Sequence, residues 1–582
     1  MSQLPVIVGI GGMNAAGRSS GFHSYKRMIA ESLSENVMRS TWLDLCYRMG
    51  ILDPSQTLEQ EHIDAAVAGT LVRQITHFDP KNIPINKHIN KDASSSDPRQ
   101  LEASFMSSRI SCAGQIPEGF NFGDLYNSVN HPRGLSLAVY GASDLMNSLG
   151  LSWSDITSLV QPDQISVYAS SALGQIDKYS MAGLVGNPLN GKRISSKMVA
   201  LAMADMPGDF VNSYIANNVG TTTANLGACA TFLYNLRQGV NDIKQGNAQV
   251  CLIGCSEAPI VPELIEGYRT MGALAEDQQL AKLDGTDIVN HRRAVRPFSA
   301  NAGFTIAEST QFMLLMSDEL ALKCGANILG AVPDVFVNAD GNKKSISAPG
   351  IGNYITLMKA ASVANNLAGI DLQKTSVQAH GTGTPQNRVT ESHVINEVAK
   401  TFQIEKWKTT SVKAYVGHSV ASAAGDQFAA ALGTWKYGYI PGIKTIDHIA
   451  DDVHQSNMNI LMEDEFVGEQ GKDMDASFIN SKGFGGNNAT ALLLSPSVTM
   501  QMLEKKHGKQ SVSSYRANNE KISQLAEEAD QRICDGNESV IYNFGTNIIE
   551  GDELSLSQEE IKLPQYAQAI KMPKAEEFGD YQ

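Results

Sequence analysis

The sequence predicts an α/β protein with at least two domains or a duplicated fold, and three observations carry that reading. From about residue 135 onward, short apolar strands alternate with helix-patterned runs. The chain has 582 residues, too many for one simple core, so at least two domains or an internal duplication is required. Two segments, ISVYASS around Val167 and TSVQAHGTG around Val377, share a strand that runs into small residues, as two copies of one unit would.

The elements follow in order. Val6 to Ile10 is an apolar strand that leaves through glycines. Gly9 and Gly11 fit the first two positions of a dinucleotide fingerprint, but Asn14 stands in the third, so the segment reads as a tight strand exit rather than the start of a nicotinamide site. Residues 51–131 are of mixed character. They hold one helix, His62 to Thr76, followed by a polar loop in which DASSSDP is exposed. Leu135 to Leu149 is helical, Gln164 to Ser170 a strand and Ser195 to Met206 a helix. Between Asn217 and Gly246, Phe232, Leu233, Leu236, Val240 and Ile243 recur at helical spacing, and Gly246 stops the helix. Ala248 to Gly254 is again a strand. After about Pro496 the texture turns polar and charged, with one amphipathic helix and a terminal stretch packed on the surface or partly mobile.

Composition narrows the function. At 42% hydrophobic and 18% charged residues the chain is ordinary for a globular protein. A net charge of -15 argues against bulk affinity for nucleic acid or an anionic membrane. No apolar run approaches the roughly 20 residues that span a bilayer, and the N-terminus lacks the charged start of a signal peptide. Seven scattered cysteines fit a reducing cytoplasm, and Cys251 and Cys255 have no second ligand pair at zinc spacing, so no metal is expected.

The chemistry centres on Cys229. Small residues (Gly227, Ala228, Ala230) surround it where a polar segment feeds the N-terminus of the predicted helix. Helix-end N–H groups stabilise negative charge, which lowers a thiol pKa and favours a nucleophile. An isolated intracellular cysteine is more often a small buried residue, so partners decide. Three stretches supply them. In VQAHGTGTPQNRVTES, His380 leaves a strand into a Gly/Thr turn. In TTSVKAYVGHSVASAAG, Lys413 precedes His418 by five residues. In NSKGFGGNNA, Gly483, Gly485 and Gly486 flank Phe484. Each alone is more often a structural histidine, a solvated lysine or a plain turn. Together with Cys229, in this order, they are far more specific.

That order, Cys, His, Lys, His and a closing GFGG loop, resembles the β-ketoacyl synthases of the thiolase superfamily over about residues 1 to 497, and most of all the type that initiates bacterial fatty acid synthesis. The resemblance implies a five-layer αβαβα fold. One half, 1–300, would carry Cys229 and an insertion at about 51–131; a second, 301–497, would carry both histidines; an extension would span 498–582. It implies acyl transfer to Cys229, then decarboxylative condensation with malonyl-acyl carrier protein. Backbone N–H groups of Cys229 and Phe484 would hold the acyl oxyanion, and neutral His380 and His418 the enolate. Lys413 would orient the site electrostatically, and Glu308, in RPFSANAGFTIAES, would tie the network together. Phe484 would gate the thiol, with Gly485, Thr382 and Thr384 also at the substrate. No intrinsic cofactor is implied, since phosphopantetheine arrives on the carrier or on coenzyme A. The implied partners are acyl carrier protein, acyl-coenzyme A and malonyl-acyl carrier protein, and the implied assembly is a cytoplasmic homodimer. An acidic carrier protein calls for a basic patch, for which Arg292, Arg293 and Arg296 are candidates beside the alternative of internal salt bridges. The sequence departs from the family at Arg388, often acidic there, at Lys482, often aromatic, and at Asn301 and Ala302, often Arg-Asp. An acetyl-coenzyme A-primed initiating synthase is the reading; an elongating synthase primed by longer acyl carriers and a non-catalytic partner with this fold are its rivals. Cys229, His380 and His418 speak against the last.

Overall fold

Strand β1 (Pro5–Asn14) is buried at every position because it runs through the middle of the molecule with a neighbour on each edge. The computed structural model describes residues 2–88, 101–346 and 348–574, and within these twelve strands join in one mixed sheet. The others are β2 (Ile165–Ser170), β3 (Thr222–Thr223), β4 (Val250–Glu257), β5 (Ser309–Ser317), β6 (Gly330–Ala339), β7 (Thr375–Gln378), β8 (Trp407–Thr410), β9 (Met458–Ile460), β10 (Ala476–Gly483) and β11 (Asn487–Leu494), with Gly17–Arg18 folded back on the end of β1. Their order is β9-β8-β7-β10-β11-β6-β1-β5-β4-β2-β3.

Read outward from the β1–β6 junction, this order is one pattern used twice. From β1 the pairings are antiparallel to β5, antiparallel from β5 to β4, then parallel to β2 and to β3. From β6 they are antiparallel to β11, antiparallel from β11 to β10, then parallel to β7 and to β8, with β9 added beyond. The two strands paired by their sequences, β2 and β7, occupy the same place in the two copies. Because β5 lies between β1 and β4, the first half extends to Ser317, past the boundary at 300 expected from sequence.

Helices complete the layers. Helix α1 (Arg133–Ser148) packs on β1 and β5, and α3 (Gly352–Asn366), backed by α4 (Pro385–Thr401), packs on β11 and β6. Between the two sheet halves lie α2 (Thr231–Gln245) and α5 (Ala423–Tyr437), packed on strands of both halves and on each other. The result is helix, sheet, helix, sheet, helix, the five-layer arrangement expected. The five apolar residues at helical spacing in α2 are all buried, each stabilising the fold by about 1.5–3 kcal/mol relative to exposure. Gly246 ends α2 at φ 80, a left-handed conformation that favours glycine, and Gly438 ends α5 at φ 85 in the same way.

Three local expectations change. The helix placed at His62 to Thr76 is Gln60–Ala68; Gly69 closes it, Leu71 turns the chain at φ 62, and Val72–Gln74 pairs with Cys112–Gly114 as a strand. The helix placed at Ser195 to Met206 is two short pieces, Met198–Leu201 and Met206–Val211, the second opened by Pro207. The amphipathic helix after Pro496 is long, α6 (Pro496–Cys534), and breaks at Gly508 (φ 83). It is tied down by Tyr515, which donates to the Ala326 carbonyl, and by Asp530, which pairs with fully buried Arg18 at 2.6 Å. The tail beyond it packs on the surface, where Tyr542 meets Tyr126, His131 and Tyr214. The DASSSDP tract lies outside the described residues. No described helix is long and apolar enough to cross a membrane.

Candidate active site

Cys229 stands in a single 3-10 turn, Ala228–Ala230, immediately before α2. Ala228 takes φ 49, a left-handed backbone that costs a non-glycine residue about 1 kcal/mol. Neighbours hold that turn: the Gly227 amide donates to Thr231 Oγ1 at 3.0 Å, and Thr231 Oγ1 donates to the Ala228 carbonyl at 2.7 Å. The closing loop lies directly against it. Ser481 Oγ donates to the Cys229 carbonyl at 3.3 Å, and a Cβ on Gly483 would collide with the Gly227 carbonyl and come within 3.1 Å of the Cys229 amide nitrogen. Only glycine lets the two backbones approach this closely. Phe484 follows, 38% exposed, with Tyr268 beside it at 6.4 Å between ring centroids.

The second half of the sheet delivers the other groups. His380 leaves β7, and the amides of His380 and Gly381 donate to the Glu391 carboxylate at 2.7 and 2.8 Å. Asn387 and Asn480 donate to the same carboxylate, so four N–H groups fix it. Lys413 opens a short helix, Lys413–Val416, that ends just before His418. The His418 amide donates to the Thr305 carbonyl at 2.7 Å and its carbonyl accepts from Ala307. The two imidazoles stand 5.4 Å apart, perpendicular, with Phe304 against His418. Cys229, His380, His418, Phe484, Thr382 and Thr384 all line one cavity of about 590 Å³. Gly485 is not in its wall; at φ 86 it shapes the turn behind Phe484.

Burial drives every one of these groups toward its neutral form. It holds His380 and His418 well below the ordinary imidazole range, with Lys413 adding to the effect on both. It lowers Lys413 to about 8 against the opposing pull of Glu391, Cys229 and Asp426. It pushes the Cys229 thiol up to about 12, although Lys413 pulls the other way. The sequence had pointed to a depressed thiol pKa, but desolvation of the thiolate, with Glu257 adding to it, outweighs the pull of Lys413 here. Nζ of Lys413 and Nδ1 of both histidines are buried with no partner among the described residues, so the site holds polar nitrogens that the protein itself does not use.

Glu308 is the residue that moves. Its backbone is adjacent, since Ile306 and Ala307 touch His418, but its carboxylate points away from the cavity. Arg133 grips it through two hydrogen bonds, 2.7 and 3.0 Å, and His77 meets it at 2.9 Å from the insertion. Burial pushes this carboxyl up, yet Arg133 and His77 together hold it well below the usual range. It ties the insertion to the core. The carboxylate that fixes the backbone at His380 is Glu391, which the sequence reading passed over. Its signal was present in AHGTGTPQNRVTES: Thr384 caps α4, Pro385 opens it, and Glu391 lies on the following turns, aimed back at the strand exit. Asp426, on the first turn of α5 and accepting from Asn14, Ser309, Gln311 and Ser419, was missed because its partners come from distant segments.

The candidate docking arginines are all spent internally. Arg292 donates to carbonyls of Val67, Ala68, Thr70 and Val72, Arg293 pairs with Asp284 and Asp447, and Arg296 pairs with Asp284. Arg388 binds Asp452 and Asn301. Among the described residues one group, His23, Asp44 and Cys534, clusters like metal ligands, but the Arg18 guanidinium donates into it and fills it with a positive charge.

Known proteins share this arrangement. The model of the beta-ketoacyl synthase N-terminal domain matches residues 133–321, and that of the C-terminal domain residues 329–447. The chain is 42% identical to the beta-ketoacyl-[acyl-carrier-protein] synthase FabY of Pseudomonas aeruginosa, each covered in full. It superposes on the crystal structure of that ketosynthase with a TM-score of 0.95, covering 100% of this chain and 99% of the other. It is 26% identical to a Staphylococcus aureus 3-oxoacyl-[acyl-carrier-protein] synthase 2, over 56% of this chain and 76% of that protein.

Proposed function

The chain belongs to the β-ketoacyl synthase family, and we propose that it makes β-ketoacyl-acyl carrier protein by condensing an acyl group held on Cys229 with a malonyl thioester. One observation carries the assignment of roles: a single cavity presents the Cys229 thiol and two imidazoles held neutral, with the unpartnered Lys413 behind them outside its wall but near enough to act on all three.

The reaction follows from these groups. Cys229 Sγ attacks the carbonyl of the acyl thioester. The oxyanion that forms is met by the amides of Cys229 and Phe484, whose backbones Gly483 brings together. The carrier C–S bond breaks, and its thiolate leaves with the thiol proton. Lys413 and the N-terminus of α2 stabilise the charge that develops on Sγ, which burial keeps off the resting thiol. In the second stage the C–C bond to the malonyl carboxylate breaks and carbon dioxide departs. The electron pair becomes an enolate, whose oxygen accepts an N–H from His380 and from His418. Neutral rings suit this role, because they stabilise the oxygen without surrendering a proton outright. The enolate carbon attacks the acyl carbonyl, and the Cys229 thiolate leaves.

The chain's own groups suffice for these steps, and the phosphopantetheine arm comes with the substrate, lying along Thr382 and Thr384 beside the gate Phe484. Acyl carrier protein as partner, a homodimeric state and a cytoplasmic setting complete the proposal. The primer is acetyl from acetyl-coenzyme A, in line with the initiating type that the sequence resembles. The test is intact mass after incubation with acetyl-coenzyme A, beside a Cys229→Ala variant. One acetyl group on the wild type alone supports the reading. Acylation only by longer acyl carriers replaces it with an elongating synthase, and no acylation by any donor overturns it.

A further inference from the structure

Lys482 stands on β10 between two residues committed to the nucleophile: Ser481, which donates to the Cys229 carbonyl, and Gly483, packed on the Cys229 amide. Strand alternation turns Lys482 to the opposite face, toward α4. There Nζ meets Thr390 Oγ1 at 3.3 Å, with no carboxylate in ion-pair reach among the described residues. Lys482 lines the cavity. The other lysine in its wall, Lys343, is matched by Asp340 at 3.3 Å. Among the described residues the cavity therefore carries one cation without a counter-ion, close enough to His380 for its charge to be felt there.

The two acyl groups of the proposed reaction differ in charge. A simple primer is neutral, whereas the malonyl extender brings a carboxylate that loses its water on entry, which is unfavourable without a partner. We propose that Lys482 receives the malonyl carboxylate and so makes the condensing step select a charged thioester over a neutral one. This rests on the ketosynthase reading above. Burial lowers the lysine pKa while Glu391 and Asp340 oppose that, and an incoming carboxylate adds to the opposition. When the C–C bond breaks, the electron pair passes to the enolate between His380 and His418 and carbon dioxide leaves uncharged. The contact with Lys482 is then released with the product.

The test is equilibrium binding of two pantetheine thioether analogues, one ending in a carboxylate and the other in its carboxamide. Full-length wild type, Lys482→Met and Lys482→Arg are compared, beside a condensation assay with malonyl-acyl carrier protein. The wild type is expected to prefer the carboxylate by about tenfold or more, the advantage of a charge-assisted hydrogen bond. Lys482→Met brings the ratio close to one, and Lys482→Arg restores most of it. A wild-type ratio near one, or an unchanged ratio in Lys482→Met, overturns the inference. If Lys482→Met does not fold, the pH dependence of the wild-type ratio decides: it falls as the lysine deprotonates, and a flat ratio from about pH 6 to 10 overturns the proposal. A wild type that neither takes up acyl groups nor condenses overturns the ketosynthase reading instead, whatever the ratio.

Discussion

Helix α2 of the first half and helix α5 of the second are fifteen residues each, and each starts from a single 3-10 turn. The turn in the first half opens on Ala228 at φ 49, the turn in the second on Val420 at φ 48. Each helix ends at a left-handed glycine, Gly246 or Gly438. At the centre of the two turns stand Cys229 and Ala421. The backbone device is the same, strain included, and a single side chain decides that one copy carries a thiol and the other a methyl group. The second copy contributes through its strand exits and the segment before its turn, where His380, Lys413 and His418 stand. Burial then acts on the two sides in opposite directions with one outcome: the thiol rises, the imidazoles and lysine fall, and all tend toward neutrality.

The sharpest way to break this comparison is to make the two turns alike. Cys229→Ala gives the first copy the residue of the second and should abolish condensation, by ~10³-fold or more. It should leave thermal unfolding within about 2 °C of wild type, since Ala421 shows that the turn accepts alanine. A large loss of stability would mean that the turns are not equivalent. The next effect separates the two glutamates. Glu308→Ala strands Arg133 and should cost about 3 kcal/mol in denaturant unfolding, with modest loss of turnover per folded molecule. Glu391→Ala releases the His380 turn and should lower turnover roughly 10- to 100-fold, the range seen when a group orienting an active residue is lost. Equal loss of activity in both would return Glu308 to the site.

The pH profile sharpens the contrast in charge. Because both imidazoles are held neutral, the rate of malonyl decarboxylation should stay level as pH falls through the ordinary histidine value near 6.5. A drop with its midpoint there would show that one ring protonates freely. The smallest effect tests the strain itself. Ala228→Gly should raise stability by about 0.5–1 kcal/mol by relieving the left-handed alanine, read from the denaturant midpoint. A destabilised variant would mean that the methyl group contributes more through packing than its backbone loses.

Much of this was legible in the chain. The α2 periodicity, the stop at Gly246 and the strand either side of it are local patterns, and the structure keeps them within a few residues. The likeness of ISVYASS and TSVQAHGTG reported a true equivalence, because β2 and β7 fill the same slot in the sheet. Other features resisted. Glu308 sits among residues that touch His418 through their backbone, and nothing in RPFSANAGFTIAES says that its side chain turns to Arg133, 175 positions earlier. Arg292, Arg293 and Arg296 form a basic cluster in sequence, yet their partners lie on segments up to 225 positions away.

By itself, then, the sequence determined most of the elements and the reactive residue types and hinted at the duplication, because these rest on periodicity, on the backbone freedom of glycine and on the chemistry of side chains. Only the tertiary structure decided which carboxylate holds the turn at His380, which cations are free to meet a ligand and which way the thiol pKa moves. Those are set by burial and by partners distant along the chain. Desolvation and ion pairing act over a few ångströms of space, and the order of residues does not specify that distance until the two halves of the sheet have closed on α2 and α5.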